Sequence, residues 1–245
     1  MATNYYGRMR AILNLMPQLT AAAEAGELSR VLSVLAAGSE SDINMNDLDL
    51  KKGFTLHAAL AHCALMTDFM VEELSKRYPG TSFSHSYPGT VKSGITDGLT
   101  GPVRLAIKVL YAVMTPWILQ VHESGERHLF QITSSLFPSR KGGTGICAPE
   151  GMEVVRGADG KQGTGAYLLD WDGKATGDEA LLRKYRELNA GPKIWEHTMT
   201  TFKTATGRKR LPEDEGSNGV AKRDGIERSP RDDSQPPNLV GWRPG

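Results

Sequence analysis

Arg30-Val31-Leu32-Ser33-Val34-Leu35-Ala36-Ala37-Gly38, then the apolar segment 54–78, then Ser82 through Tyr87-Pro88-Gly89-Thr90-Val91-Lys92-Ser93, make up the stretch that decides the fold. The first piece reads as a strand whose near-continuous apolar character suits a sheet covered on both faces. The second places Leu56, Leu60, Cys63, Met66, Phe69, Met70 and Leu74 at helical spacing, with Lys76 and Arg77 at the negative end of the helix dipole and Pro79-Gly80 as a stop. The third reads as a strand over 82–87 turned sharply by Pro88-Gly89. Strand, crossover helix and strand in this order predict a right-handed βαβ unit of a parallel sheet. Ligands of such sheets bind beyond the carboxyl ends of the strands, so chemistry is expected after Val34 and after Tyr87.

Working outward, residues 4–25 carry Tyr5, Met9, Ile12, Leu13, Met16 and Leu19 on one helical face, closed by Gly26. Beyond the βαβ unit, helices are expected over 100–111 and 123–137, and a glycine-rich surface loop over 142–165 with room for a hairpin. A last strand, Gly165-Ala166-Tyr167-Leu168-Leu169-Asp170, a helix over 178–189 and a further helical stretch over 194–202 complete the pattern. After Gly207 the composition turns to charged residues, Gly, Ser and Pro with few large apolar groups, which cannot offset chain entropy. The sequence thus divides into a folded region, 1–207, and a tail, 208–245, expected to be disordered.

Composition narrows the function. The 245 residues are 39% hydrophobic and 23% charged with a formal charge of +1, enough for a sizeable core and without the basic excess of a nucleic-acid binder. Cys63 and Cys147 lie in no CxxC or metal-ligand spacing, and a reducing compartment fits them better than a disulfide framework. Asp42, Asp47 and Asp49 crowd the loop 38–52 and are read as solvated carboxylates before metal ligands. The longest apolar run, 103–119, is interrupted by Arg104, Lys108 and Pro116 and falls short of the ~20 residues of a membrane span. A cytoplasmic protein acting on a small molecule is expected.

Four segments in order resemble the short-chain dehydrogenase/reductase family, in the manner of its divergent fungal members. Asn4-Tyr5-Tyr6-Gly7 is similar to the opening of the helix that supplies the family's catalytic asparagine, and Arg30 to Val34 to the strand before its catalytic serine. Tyr87-Pro88-Gly89-Thr90-Val91-Lys92-Ser93 resembles the Pro-Gly-x-Val-x-Thr turn against the nicotinamide end of the cofactor, and Gly165 to Leu168 the final strand. The resemblance implies an α/β fold: a partial Rossmann-like parallel sheet with flanking helices, lacking the N-terminal strands. It implies an oxidoreductase of secondary metabolism acting on a small carbonyl or alcohol with NADP or NAD. Pro88, Gly89, Val91 and Ser93 are the implied cofactor contacts, and Asn4 and Ser39 implied catalytic positions. A homodimer through helices 4–25 and 54–78 is implied as well.

The departures bear on chemistry. The glycine-rich turn that admits the cofactor pyrophosphate is missing; Gly142-Gly143-Thr144-Gly145 and Gly163-Thr164-Gly165 lie at the far end and open no clear helix. The catalytic Tyr-x-x-x-Lys pair falls near Leu56 and Leu60, neither of which transfers a proton. The serine position falls near Ala36, with Ser33 read as inward strand filler and Ser39 beyond the strand end. His57 is the candidate acid or base in the tyrosine's place, with His62 beside it. Two further readings therefore stand beside the enzyme: a catalytically degenerate binding protein, and an isomerase or cyclase using the same pocket without hydride transfer.

Overall fold

The computed structural model describes residues 1–91, 101, 118–142, 145–148 and 150–207. The expected helix over 100–111 and the tail 208–245 lie outside them, as does Ser93. A π-helical turn, Ala2–Tyr6, leads into α1 (Gly7–Glu24), which is followed by β1 (Arg30–Val34), α2 (Leu56–Arg77) and β2 (Ser82–Ser86). Then come α3 (Val121–Thr133), β3 (Ala166–Leu169), α4 (Glu179–Glu187) and α5 (Ala190–Thr206). The α/β class expected from the sequence is present: β1, β2 and β3 form a parallel sheet in that order, with Val31 opposite Phe83 and Phe83 opposite Ala166.

Several boundaries differ from the sequence expectation for identifiable reasons. β1 stops at Val34 because the ladder makes its last rung from the Leu35 N–H to the Ser86 carbonyl, after which the backbone turns away. The helix after Asp178 breaks at Asn189, a left-handed residue at φ 57°, so that α5 is a separate element. α3 ends at Thr133, since Ser134 is extended and bridges Ile146. In the glycine-rich segment the only pairing among the described residues that resembles a hairpin is the antiparallel bridge Arg156 to Gln162.

α2 is the centre of the core. Every residue from Ala61 to Ser75 is buried, between the sheet on one side and the opening π-helical turn and α5 on the other. Such a helix must satisfy each polar side chain it carries inside the protein. Thr67 and Ser75 donate to the helix's own carbonyls, Glu72 pairs with Arg186 at 2.6 Å, and Glu73 binds Lys76 at 2.7 Å and also Arg77. The N-terminus is capped by Thr55, whose hydroxyl accepts the Ala58 N–H at 3.0 Å. Replacing Thr55 with Ala is expected to cost about 1 kcal/mol of stability. Urea unfolding of the two proteins checks this; equal midpoints would mean that the cap contributes nothing.

Among the described residues no helix is long and apolar enough to cross a membrane.

Candidate functional site

The carboxyl ends of the strands are held together by groups that only the fold brings into register. The Arg8 guanidinium donates to the Val34 carbonyl at 2.7 Å, fixing the first turn of α1 to the end of β1. At the end of β2, the Ser86 hydroxyl donates to Gln131 Oε1 at 2.8 Å, and Gln131 Nε2 donates to the Asp170 carbonyl at 3.1 Å, which joins α3 to the end of β3.

Beyond β2 the chain turns at Pro88-Gly89 and borders a cavity of about 440 Å³ lined by Tyr87, Gly89, Thr90, Ile118, Leu119, Glu123, Arg127 and Trp171. Its polar wall is organised: Arg127 receives the Glu123 carboxylate at 2.6 Å and stacks over the Trp171 ring at 4.4 Å from its centre. Gly89 sits at φ 76°, and a Cβ there would lie 2.6 Å from Leu119 Cδ1 and 3.1 Å from Trp171 Cβ. The glycine is therefore demanded by the turn and by packing. A second cavity of about 320 Å³, lined by Ser29, Arg30, Ser82 and Lys141 among others, lies at the amino ends of the strands, away from the position where open parallel sheets bind ligands.

Pro88, Gly89 and Val91 are half-buried along this turn, with Val91 bridged to Leu119. Asn4 is exposed within the opening π-helical turn, one turn before Arg8. Ser39 is exposed in the turn after β1, where its N–H bonds to the Ala36 carbonyl at 3.1 Å. Ser33 is buried, as the inward reading had it. His57 is exposed on the first turn of α2, beside Leu56 and Leu60, which are 73% and 51% exposed. His62 is buried, accepts the Asn44 N–H at 3.3 Å, and is pushed below its usual range by burial. Of the loop acids, Asp47 accepts three backbone N–H groups, from Lys51, Lys52 and Gly53, while Asp42 pairs with Lys184 and Asp49 with Lys51.

A phenol replacing the missing tyrosine would need its proton loosened. Tyr5 is raised by complete burial, and Tyr6, bonded to His197 at 2.7 Å, is pushed up to about 12 by burial and the Asp49 charge. Neither is activated.

One constellation escaped the sequence reading. His85, the fourth residue of β2, is completely buried with Nδ1 2.6 Å from Asp68 Oδ1 on α2, while its Nε2 accepts the Ala36 N–H at 3.0 Å. Asp68 also lies against the Glu40 carboxylate, within side-chain hydrogen-bonding reach. Burial raises the Asp68 carboxyl well above its usual range, and the neighbouring Glu40 and Glu72 carboxylates add to this against Arg186. His85 is pushed down to about 3, first by burial and then by the Arg8 charge. The only signals in the sequence are an aspartate in the middle of an apolar helix and a histidine alternating with serines in a strand.

A dinucleotide asks for a pocket at its nicotinamide end and a glycine-rich turn opening a helix for its pyrophosphate. The turn at Pro88-Gly89 borders a pocket of the first kind. Nothing among the described residues supplies the second: the loop into α2 is closed by Asp47 and Thr55, and the spaces that Gly38 and Gly89 leave are filled by Thr176 and by Leu119 with Trp171. The described residues alone do not fit a whole dinucleotide.

No family model and no solved structure matches the chain. It is 40% identical over 214 residues to an oxidoreductase of Emericella nidulans, covering 84% of this chain and 62% of that protein. It is 30% identical over 219 residues to an NmrA-like family domain-containing oxidoreductase of an Aspergillus species, covering 88% and 61%. With a short-chain dehydrogenase/reductase of Stachybotrys chartarum it shares 28% identity over 212 residues, covering 82% and 57%. The chain thus spans about three-fifths of the length of these relatives. Over most of its own length it is a homologue of fungal proteins named as oxidoreductases.

Proposed function

We propose that the chain forms the substrate and nicotinamide side of an oxidoreductase of the short-chain dehydrogenase/reductase type, acting on a small carbonyl or alcohol of fungal secondary metabolism with NADP or NAD. The observation that carries this is the cavity of about 440 Å³ at the Pro88-Gly89 turn, at the carboxyl end of β2, in a chain similar to oxidoreductases over most of its length. In this reading Asn4 and Ser39 offer polar contacts to the substrate. His57, exposed at the start of α2, stands nearest the lost tyrosine position and acts as acid or base. Pro88, Gly89, Val91 and Ser93 meet the nicotinamide end, and the protein works in the cytoplasm. A homodimer would use residues 4–25 and the open start of 54–78, where Leu15, Leu56 and Leu60 are exposed.

The test is titration of the purified chain with NADPH and NADH by fluorescence, followed by consumption of the bound nucleotide with a panel of small aldehydes and ketones. Saturable binding through the nicotinamide end is expected, weaker than in a site that also holds the pyrophosphate, and any turnover should have a pH profile that changes in His57→Ala. A folded chain that binds neither nucleotide up to about 1 mM, the upper end of ordinary Michaelis constants, would overturn the redox reading for this chain.

Leu56 and Leu60 favour a second reading. Both are open to solvent where a proton donor and its ammonium partner would stand, and neither side chain holds a transferable proton. A binding protein, or an isomerase working in the same cavity, needs neither group. Ligand binding without nucleotide consumption would select it.

A further inference from the structure

The pairing of β1 with β2 ends in an unusual rung. Leu35 donates its N–H to the Ser86 carbonyl at 2.8 Å, as the ladder requires, but the following N–H, that of Ala36, goes to an imidazole nitrogen, His85 Nε2. Side chains alternate along β2, so Phe83 and His85 face α2 whereas Ser86 faces Gln131 on α3. The backbone N–H can only donate. Nε2 must therefore be the bare nitrogen of a neutral ring, and the ring proton sits on Nδ1, donated to Asp68 Oδ1.

The turn 36–40 that starts at this point is restrained again further along. Glu40 Oε1 accepts the Gly38 N–H at 2.7 Å and Glu40 Oε2 the Asp178 N–H at 3.2 Å, while Gly38, at φ 83°, packs against Thr176. His85 joins the backbone at the start of this turn to the core, beside the buried Ala37 side chain and Glu40, which lies against Asp68. A buried His–Asp pair costs desolvation that an apolar side chain of similar volume avoids, so a mere filler role gives no reason for it. Receiving the Ala36 N–H does.

We propose that His85, oriented by Asp68, is a positioning residue that sets the turn 36–40 at the carboxyl ends of the strands and thereby places Ser39 against the substrate. The role of Ser39 rests on the oxidoreductase reading above; the tether between His85 and the turn does not.

The experiment uses the full chain, isotopically labelled, with three measurements. Nitrogen–proton correlation spectra of the imidazoles should find His85 in the Nδ1–H form and unchanged between about pH 8 and pH 5, where an ordinary histidine titrates. Amide exchange should then separate two isosteres. His85→Gln carries an oxygen close to the Nε2 position and, at mildly acidic pH where the Asp68 carboxyl it leaves without a partner is still protonated, should keep Ala36 protected. His85→Asn reaches only as far as Nδ1, and Ala36 and its turn should exchange about tenfold faster, the equivalent of one lost hydrogen bond, with the rest of the chain unaltered. Where the wild type turns over a carbonyl substrate, His85→Asn should lower kcat about tenfold while His85→Gln retains it.

An Nε2–H tautomer, titration near the ordinary histidine value, or equal Ala36 exchange in wild type and His85→Asn overturns the tether. Should His85→Asn fail to fold, the tautomer and the His85→Gln exchange decide the question. A correct tautomer and exchange pattern in a chain without turnover sinks the oxidoreductase reading alone.

Discussion

Asp68→Asn and His85→Gln are expected to give stability profiles of opposite slope with pH, although the wild-type pair contributes a flat one. Unfolded, the histidine takes up a proton below its ordinary 6.5 and the aspartic acid gives one up above 3.8. Folded, burial lowers His85 and raises Asp68, so the two share one titratable proton across that window. Folded and unfolded pairs then hold equal numbers of protons from about pH 4 up to the lower of 6.5 and the raised Asp68 value, and over that range linkage gives no slope. With Asp68→Asn the lowered His85 remains alone. Its stabilisation is complete above about pH 6.5 and is lost as pH falls, by about 1.4 kcal/mol per pH unit. With His85→Gln the raised Asp68 remains alone, and stability is complete below about pH 4 and is lost by the same slope as pH rises towards the folded value. His85→Ala, which leaves a buried carboxyl without its partner, should cost roughly 3–5 kcal/mol near neutrality. Urea unfolding at pH 5 and pH 7 resolves all of this; parallel profiles for the two single variants would show that the pair does not share a proton.

The second large effect is expected at Gly89. A leucine there meets the left-handed backbone at φ 76°, costing about 1–2 kcal/mol in any L residue, and in addition overlaps Leu119 and Trp171. Leu119 Cδ1 is the far end of a side chain and can give way, whereas Trp171 Cβ moves only with the backbone beyond β3. Gly89→Leu should therefore close the cavity and weaken ligand binding by at least about tenfold, on the scale of one lost contact of 1.4 kcal/mol. Gly26→Leu is the control: its φ is 75° but nothing lies within 4 Å of its Cβ, so it meets the strain without the overlap. Equal stability loss in both variants, with binding intact in Gly89→Leu, would remove the cavity from the candidate site.

Much of the site's scaffold was legible. The Pro88-Gly89 turn, the strand ends and the inward Ser33 follow from local rules, since a Pro-Gly dipeptide and an apolar run act on their own backbone. His57 and His62 look alike by composition and five residues apart, yet one is exposed and the other holds the Asn44 N–H. Which side of α2 each occupies depends on what packs against the helix. The Glu123–Arg127 pair has the i,i+4 spacing of one helix, but that Trp171 would close this wall could not be read, because it comes from a segment far away in sequence.

By itself the sequence determined the order of strands and helices, because apolar periodicity, caps such as Thr55 and breakers such as Gly26 act over a few residues. Only the tertiary structure decided that His85, Asp68 and Ala36 form one hydrogen-bonded unit, and that α2 is buried on every side through its centre. The physical reason is range. Propensity and turn chemistry are settled between neighbours, while the burial that shifts a proton equilibrium and the amide that fixes a tautomer come from chain segments that meet only once the sheet has closed.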